Sequence, residues 1–200
     1  MKGYTKPLIA IFVILIADQV LKTWVKTNMF IGQEFHLIKN FAIIHFTENN
    51  GMAFGMEFGG EAGKLALSLF RILAVAGIGY GLHHLIKHKY HRGLILNVAL
   101  IFAGALGNII DSVFYGVIYH YEKLFHGRVV DMFYFPIIQG HFPQWFPIWA
   151  GEDFVFFRPV FNIADSAISI GVIMILIYQK VYFKEDIKEQ PSINSEVVED

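Results

Sequence analysis

The chain contains no cysteine. That excludes disulfides, thiolate metal sites and a cysteine nucleophile together, and it leaves the redox compartment open. Charge is also scarce. Asp, Glu, Lys and Arg make up 16% of the 200 residues and sum to a net charge of −1, so no global field draws the chain to nucleic acid or to acidic partners. There is no internal repeat and no HExxH pair, the helical arrangement a zinc peptidase needs.

What is present is apolar surface. Hydrophobic residues reach 55%, aromatics 16% and the mean hydropathy +0.48, above a soluble domain of this size. A helix that crosses the hydrocarbon core, about 30 Å thick, needs about 20 mostly apolar residues. Four segments qualify, at 7–25, 65–86, 94–118 and 160–183. The first has a basic start, Lys2 and Lys6, but Asp18, Lys22 and Lys26 follow where a small-x-small cleavage site would stand. It is read as an uncleaved first helix. Lys2 and Lys6, the "KHKYHR" loop at 87–92, and Lys180 and Lys184 are the basic connections, and basic loops stay cytoplasmic. Both termini are therefore expected inside, with two long segments, 27–64 and 119–159, outside.

The first outer segment, "EFHLIKNFAIIHFTENNGMAFG", carries strand-like stretches and an Asn-Asn-Gly turn signal. The second is rich in Trp, Phe and Pro, and Trp is the usual headgroup anchor. The expected fold is an all-α membrane protein with four transmembrane helices, a small extracytoplasmic β-sheet and an amphipathic outer loop. Residues 1–183 would form one integral membrane domain, and 184–200 a polar cytoplasmic tail expected to be disordered.

Polar residues inside these segments need a reason, because a charge at the bilayer centre costs about 2.5–3.5 kcal/mol on insertion scales. Gly104, Asn108 and Asp111 share one helix face at i, i+4 and i+7. Asp111 lies about 25 Å along its helix from Leu94, near the outer surface. Asn162, Asp165 and Ser169 share a face at the outer start of the fourth helix, and Asp18 and Lys22 stand at i, i+4 in the outer half of the first. Asp131, in "GRVVDMFYF", sits in the outer loop, on a stretch able to lie on the bilayer. Each has an ordinary reading: Asn162 and Asp165 as a helix cap, Asp18–Lys22 as a packing ion pair, Asn108 and Asp111 as interhelical hydrogen bonding, Asp131 as surface. Arg71 is expected to snorkel to headgroups. His83, His84, His88 and His91, beside Lys87, Lys89 and Arg92, read as an interfacial cationic girdle rather than a metal site. Capping explains one aspartate, however, and not why several carboxylates meet at one depth. Two carboxylates held close share a proton, and such a pair can activate water and protonate a leaving amine without metal or thiol. A small transporter or lipid-binding scaffold is the other reading, with the polar residues lining a path.

Five motifs in order, "ADQVLK", "NNGMAF", "GALGNIID", "GRVVD" and "FNIADSAI", spanning Asp18 to Ile168, resemble the lipoprotein signal peptidases (type II signal peptidases). The resemblance implies a membrane aspartic endopeptidase with no cofactor or metal. It implies that Asp131 and Asp165 are the catalytic pair, supported by Asp18, Lys22, Asn49, Gly51, Asn108, Asp111 and Asn162. The implied substrate is a bacterial prolipoprotein whose cysteine already carries diacylglycerol, cleaved just before that cysteine. Membrane lipids would be the other partner, and a monomer in the bacterial inner membrane is expected, its site near the outer face. Two departures stand out. The family usually carries arginine after the aspartate of the third-helix motif, and here Ser112 follows Asp111. The stretches 115–128 and 136–158 are expanded, and the added "YHYEKLFH" is expected to bring the missing cation on Lys123 or Arg128.

Overall fold

The computed structural model describes residues 3–39, 41–50, 60–145, 147–149, 151–156 and 158–183. Four long helices lie at α1 (Thr5–Asn28), α2 (Gly60–Lys87), α3 (Arg92–Ile110) and α4 (Ile163–Tyr182). α3 runs on through a π turn (Asp111–Tyr115) to Ile118. All four are long and apolar enough to cross a membrane. Their outward faces carry Phe12, Val20, Leu73, Leu176 and Ile177, all exposed, which suits a hydrocarbon surround. α3 is the central helix and packs against the other three.

Without a hydrophobic driving force between helices in lipid, close approach depends on small residues. A Cβ at Gly104 would lie 2.2 Å from the Ala164 carbonyl oxygen, and one at Gly171 would lie 2.7 Å from that of Asn97. Backbone thus meets backbone where α3 crosses α4. The polar counterpart is an ion cluster. Lys22 Nζ lies 2.9 Å from Asp18 Oδ2 and 2.8 Å from Asp111 Oδ2, and donates to Asn108 Oδ1 at 2.9 Å. The three ammonium protons each have an acceptor, and the Lys22, Asp18 and Asp111 side chains are 0%, 1% and 0% exposed. Asp18 Oδ1 also accepts from the Ala164 amide, and Asp111 Oδ2 from the Val130 amide. One buried cation thereby ties α1 to α3, to the start of α4 and to the strand that carries Val130.

That strand belongs to a four-stranded antiparallel sheet in the order β1 (Glu34–Ile38), β2 (Ala42–Asn49), β3 (Val129–Tyr134), β6 (Val160–Phe161). The expected small sheet is there, but it recruits more of the chain. β3 does not lie on the bilayer; Val129 to Met132 are buried, and β3 pairs with both β2 and β6. Alternation places Val130 and Met132 in a cluster with Val25, Met29, Ile44, Phe46 and Tyr115, and turns Asp131 to the other face. The fourth helix begins at Ile163 instead of 160, because Val160 and Phe161 pair with Tyr134 and Phe133. A separate hairpin of β4 (Ile138–His141) and β5 (Asp153–Phe156) occupies the expanded second outer segment. Trp145, Ile148 and Trp149 are exposed beside it.

The π turn releases carbonyls from the helix ladder, and the insertion after it takes them up: the Phe125 amide donates to the Val113 carbonyl and the Gly127 amide to that of Ser112. A Cβ at Gly127 would stand 2.0 Å from the Asp111 carbonyl oxygen, so only glycine fits.

This packing sets two stability outcomes. Gly104→Leu forces α3 and α4 apart and should destabilise the protein by at least about 2 kcal/mol, read as a lowered thermal midpoint in detergent. Lys22→Met leaves two buried carboxylates without their cation and should cost about 3–5 kcal/mol. Adding Asp111→Asn to it should recover part of that loss, and recovery of nothing would count against the ion cluster as the tie.

Candidate active site

The site is assembled where α4 begins. Asn162 has extended backbone (φ −125°, ψ −177°) and caps the helix. Its Oδ1 accepts from the Asp165 amide at 2.9 Å, while Asp165 Oδ2 accepts from the Asn162 amide at 3.3 Å. This reciprocal pair satisfies two amides a helix start leaves free. The capping reading of these residues is correct, and it does not exhaust them. The Asn162 amide nitrogen, Nδ2, reaches away from the helix to Asp131 Oδ1 at 2.7 Å. It also lies 3.2 Å from both the Val130 carbonyl and Asn108 Oδ1. One fully buried asparagine therefore touches both aspartates, holding Asp165 through its backbone and cap oxygen, and Asp131 through its amide.

Asn108 braces the same pair from α3. Its Nδ2 donates to Asp165 Oδ1 at 2.8 Å, and its Oδ1 accepts from Lys22. Asn49, at the end of β2, hydrogen-bonds Asp131 from the sheet. Asp131 is 4% exposed. Burial pushes its carboxyl up to about 7, helped by the negative charge of Asp165 nearby. A carboxyl that keeps its proton near neutrality is suited to act as an acid.

Of the residues expected from sequence, Asp18, Lys22, Asn49, Asn108, Asp111, Asp131, Asn162 and Asp165 all converge here. Gly51 lies outside the described residues. Ser169, on the same face by spacing, is exposed and takes no part. Neither residue expected to replace the missing arginine does so. Lys123 pairs at the surface with Glu61 (3.9 Å), and Arg128 with Glu48 (3.3 Å) on the sheet. The nearby cation comes from elsewhere: Arg71 on α2 does not snorkel outward but donates from Nη1 to Ser112 Oγ at 3.1 Å. Gln19 joins the site without having been among the expected residues. Its Nε2 donates to Asp111 Oδ1 at 3.0 Å, and its Oε1 accepts from the Tyr115 hydroxyl. The available signal is an uncharged polar residue between Asp18 and Lys22 in an apolar helix. At the far end of the bundle His91 caps α3 by accepting from the Gly93 amide, and the His84 and His88 rings lie 4.0 Å apart. Among the described residues no three His, Asp or Glu side chains are grouped to hold a metal ion.

Comparison with known proteins places this arrangement. Residues 10–181 match the family model described as signal peptidase (SPase) II. A lipoprotein signal peptidase of Porphyromonas gingivalis is 52% identical over 183 residues, covering 84% of this chain and 79% of its own. One from Amoebophilus asiaticus is 36% identical over 88% of this chain and 78% of its own. Two solved structures, each described as a bacterial membrane enzyme, superpose with TM-scores of 0.63 and 0.61. They are 28% and 30% identical, covering 92% and 90% of this chain and 94% and 93% of theirs. A transporter or scaffold is not favoured by these matches. With the family model matched from the first helix to the last, the chain belongs to the signal peptidase II family and is a multi-pass bacterial membrane peptidase.

Proposed function

We propose that the chain, which removes signal peptides from prolipoproteins as its family does, works as an aspartic endopeptidase. Asp131 and Asp165 form the catalytic pair, acting on diacylglyceryl-modified precursors just before the modified cysteine. The observation that carries this reading is Asn162, whose side chain touches both carboxyl-bearing residues. Both oxygens of Asp165 accept hydrogen bonds from neutral amides, an arrangement that suits a carboxylate acting as base. Asp131, buried and raised to about 7, is suited to hold the shared proton.

In the proposed reaction Asp165 takes a proton from water, and the water oxygen bonds to the scissile carbonyl carbon. Asp131 gives its proton to the carbonyl oxygen, and a neutral tetrahedral diol results. Asp165 then passes its proton to the amide nitrogen while Asp131 takes one back from a diol hydroxyl. The C–N bond breaks, the carbonyl reforms, and both carboxyl groups return to their starting states. Asn49, Asn108 and Asn162 hold the pair. Asp18, Lys22 and Asp111 hold the elements that carry it, and Gly51 is assigned to the substrate side on resemblance. Among the described residues the side chains that hold both aspartates lie within one chain, and the same reading takes the protein as a monomer.

The basic connections lie at the end of the bundle opposite the pair. That supports cytoplasmic termini and a site near the outer face, where a lipid-anchored precursor presents its scissile bond. Exposed Trp145 and Trp149 suit contact with headgroups there. Residues 1–183 act as one peptidase domain in this reading, with 184–200 as a tail.

Asp131→Asn and Asp165→Asn should each lower cleavage of a diacylglyceryl-modified precursor by at least about 1,000-fold, in purified protein that still inserts and melts cooperatively. Near-normal turnover by either variant would remove that residue from the pair. The rate should also fall as pH rises through about 7, where Asp131 loses its proton. A kcat that stays flat from about pH 6 to about pH 9 would contradict its role as acid.

A further inference from the structure

The contact between α2 and α3 leaves a groove at the end of the bundle away from the aspartate pair. Leu82 and Ile86 pack into the interior with Ile95 and Ala99. On their flank Ile78, Gly81, His84 and Leu85 of α2 face Val98 and Ile101 of α3 across an open depression of about 630 Å³. That volume falls within the range of small-molecule sites, about 300–1,000 Å³. Glycine helps to make the room. A Cβ at Gly81 would meet nothing within 4 Å, whereas one at Gly104 or Gly171 would strike the facing helix. Gly81 therefore brings no other helix of this chain close.

Depth restricts what can enter. Ile78 lies about 14 Å along α2 from the helix end at Lys87, so the groove fits within one leaflet of a hydrocarbon core about 30 Å thick. Its polar end is His84, whose ring stands 4.0 Å from that of His88 and 6.2 Å from that of Tyr90. His88 Nδ1 donates to the His84 carbonyl, which holds the two rings together. Lys87, Lys89 and Arg92 belong to the same turn and are exposed. Residues 72–110, which form both walls and this turn, contain no Asp or Glu. An occupant thus needs a hydrocarbon body and an anionic head.

Few components of a bilayer meet both conditions. A second copy in the same orientation would bring the same basic turn to the mouth, like charge against like. A foreign transmembrane helix carries lysine and arginine at its own cytoplasmic end, by the rule that orients this chain. The chain's own residues 184–200 follow α4 at this end and include Glu185, Asp186 and Glu189, but they offer charge without a run of apolar residues to fill the groove. A phospholipid has both parts at the right depths: phosphate among the headgroups and an acyl chain below it. We infer that the groove between α2 and α3 binds one anionic phospholipid, its acyl chain against Gly81, Leu85 and Ile101 and its phosphate at His84 and the basic turn.

Native mass spectrometry of the delipidated full chain tests this, with dioleoyl phosphatidylglycerol, dioleoyl phosphatidylcholine or dioleoylglycerol added in a non-ionic detergent. Phosphatidylglycerol should saturate at one copy and bind at least about tenfold more tightly than the other two lipids. Gly81→Leu puts a good helix former into the groove and should weaken phosphatidylglycerol binding at least about tenfold, with precursor cleavage in detergent unchanged. His84→Gln combined with Lys87→Gln should bind phosphatidylglycerol and phosphatidylcholine alike, and decides the matter alone if Gly81→Leu does not fold. Retention without saturation, equal affinity for the two phospholipids in the unaltered chain, or undiminished binding by a folded Gly81→Leu would overturn the inference. A dimer that Gly81→Leu dissociates would assign the groove to a second copy instead. A preference seen only after removal of residues 184–200 would assign it to that segment.

Discussion

Lys22 is the residue on which the arrangement depends. An ammonium with no exposure in a membrane-spanning helix is tolerable only with every proton matched. The three acceptors come from α1 and α3, and the carboxylates it draws in reach further, to the amides of Ala164 and Val130. Each of those amides is one residue from an aspartate of the proposed pair. Compensation of one buried charge therefore fixes, at one remove, the backbone immediately before Asp165 and Asp131.

Around this centre the molecule uses the two kinds of contact a bilayer allows. Where helices cross, glycine and alanine bring backbones together; where they end, asparagines share themselves between carboxylates. The amide side chain suits the second task because it donates and accepts at once. Asn108 and Asn162 each do both, so the links from Lys22 to Asp165 and from Asp165 to Asp131 are made by groups with no charge of their own. The sheet contributes a strand whose buried Val130 and Met132 anchor it against α1, leaving Asp131 no alternative but to face α4.

Much of this is legible in the sequence, and the reasons differ by element. The spans are readable because an unbroken apolar run of about 20 residues matches the thickness of a bilayer and exceeds what a soluble core helix needs. Asn162 and Asp165 are readable because their spacing is that of a capping box. β3 is not: "VVDMFY" is a short apolar run whose partners, β2 and β6, lie far away in sequence, and periodicity does not separate an interfacial stretch from a buried strand. The early start expected for the fourth helix is the same error seen from the other side, since Val160 and Phe161 are apolar enough to extend the helix but pair with β3. Arg71 departs from expectation because a lone arginine near a helix end ordinarily turns to water, and nothing local shows that Ser112 of the next helix stands opposite. The expectation for Lys123 and Arg128 fails for a similar reason: sequence proximity to Asp111 does not reveal that Glu61 and Glu48 claim them first.

The spacing of Asp18 and Lys22 also bears on how such a protein is made. A lysine whose partners all lay on later helices would have to enter the bilayer bare, or wait outside until they emerged. Here one partner stands a single turn away on the same helix, so the first segment can leave the translocation machinery already internally neutralised. Asp111 then arrives with the third segment as a second acceptor, and its own charge enters against a cation already in place. The order of synthesis and the order of charge compensation thus coincide for Lys22, which meets its first counter-charge within its own helix.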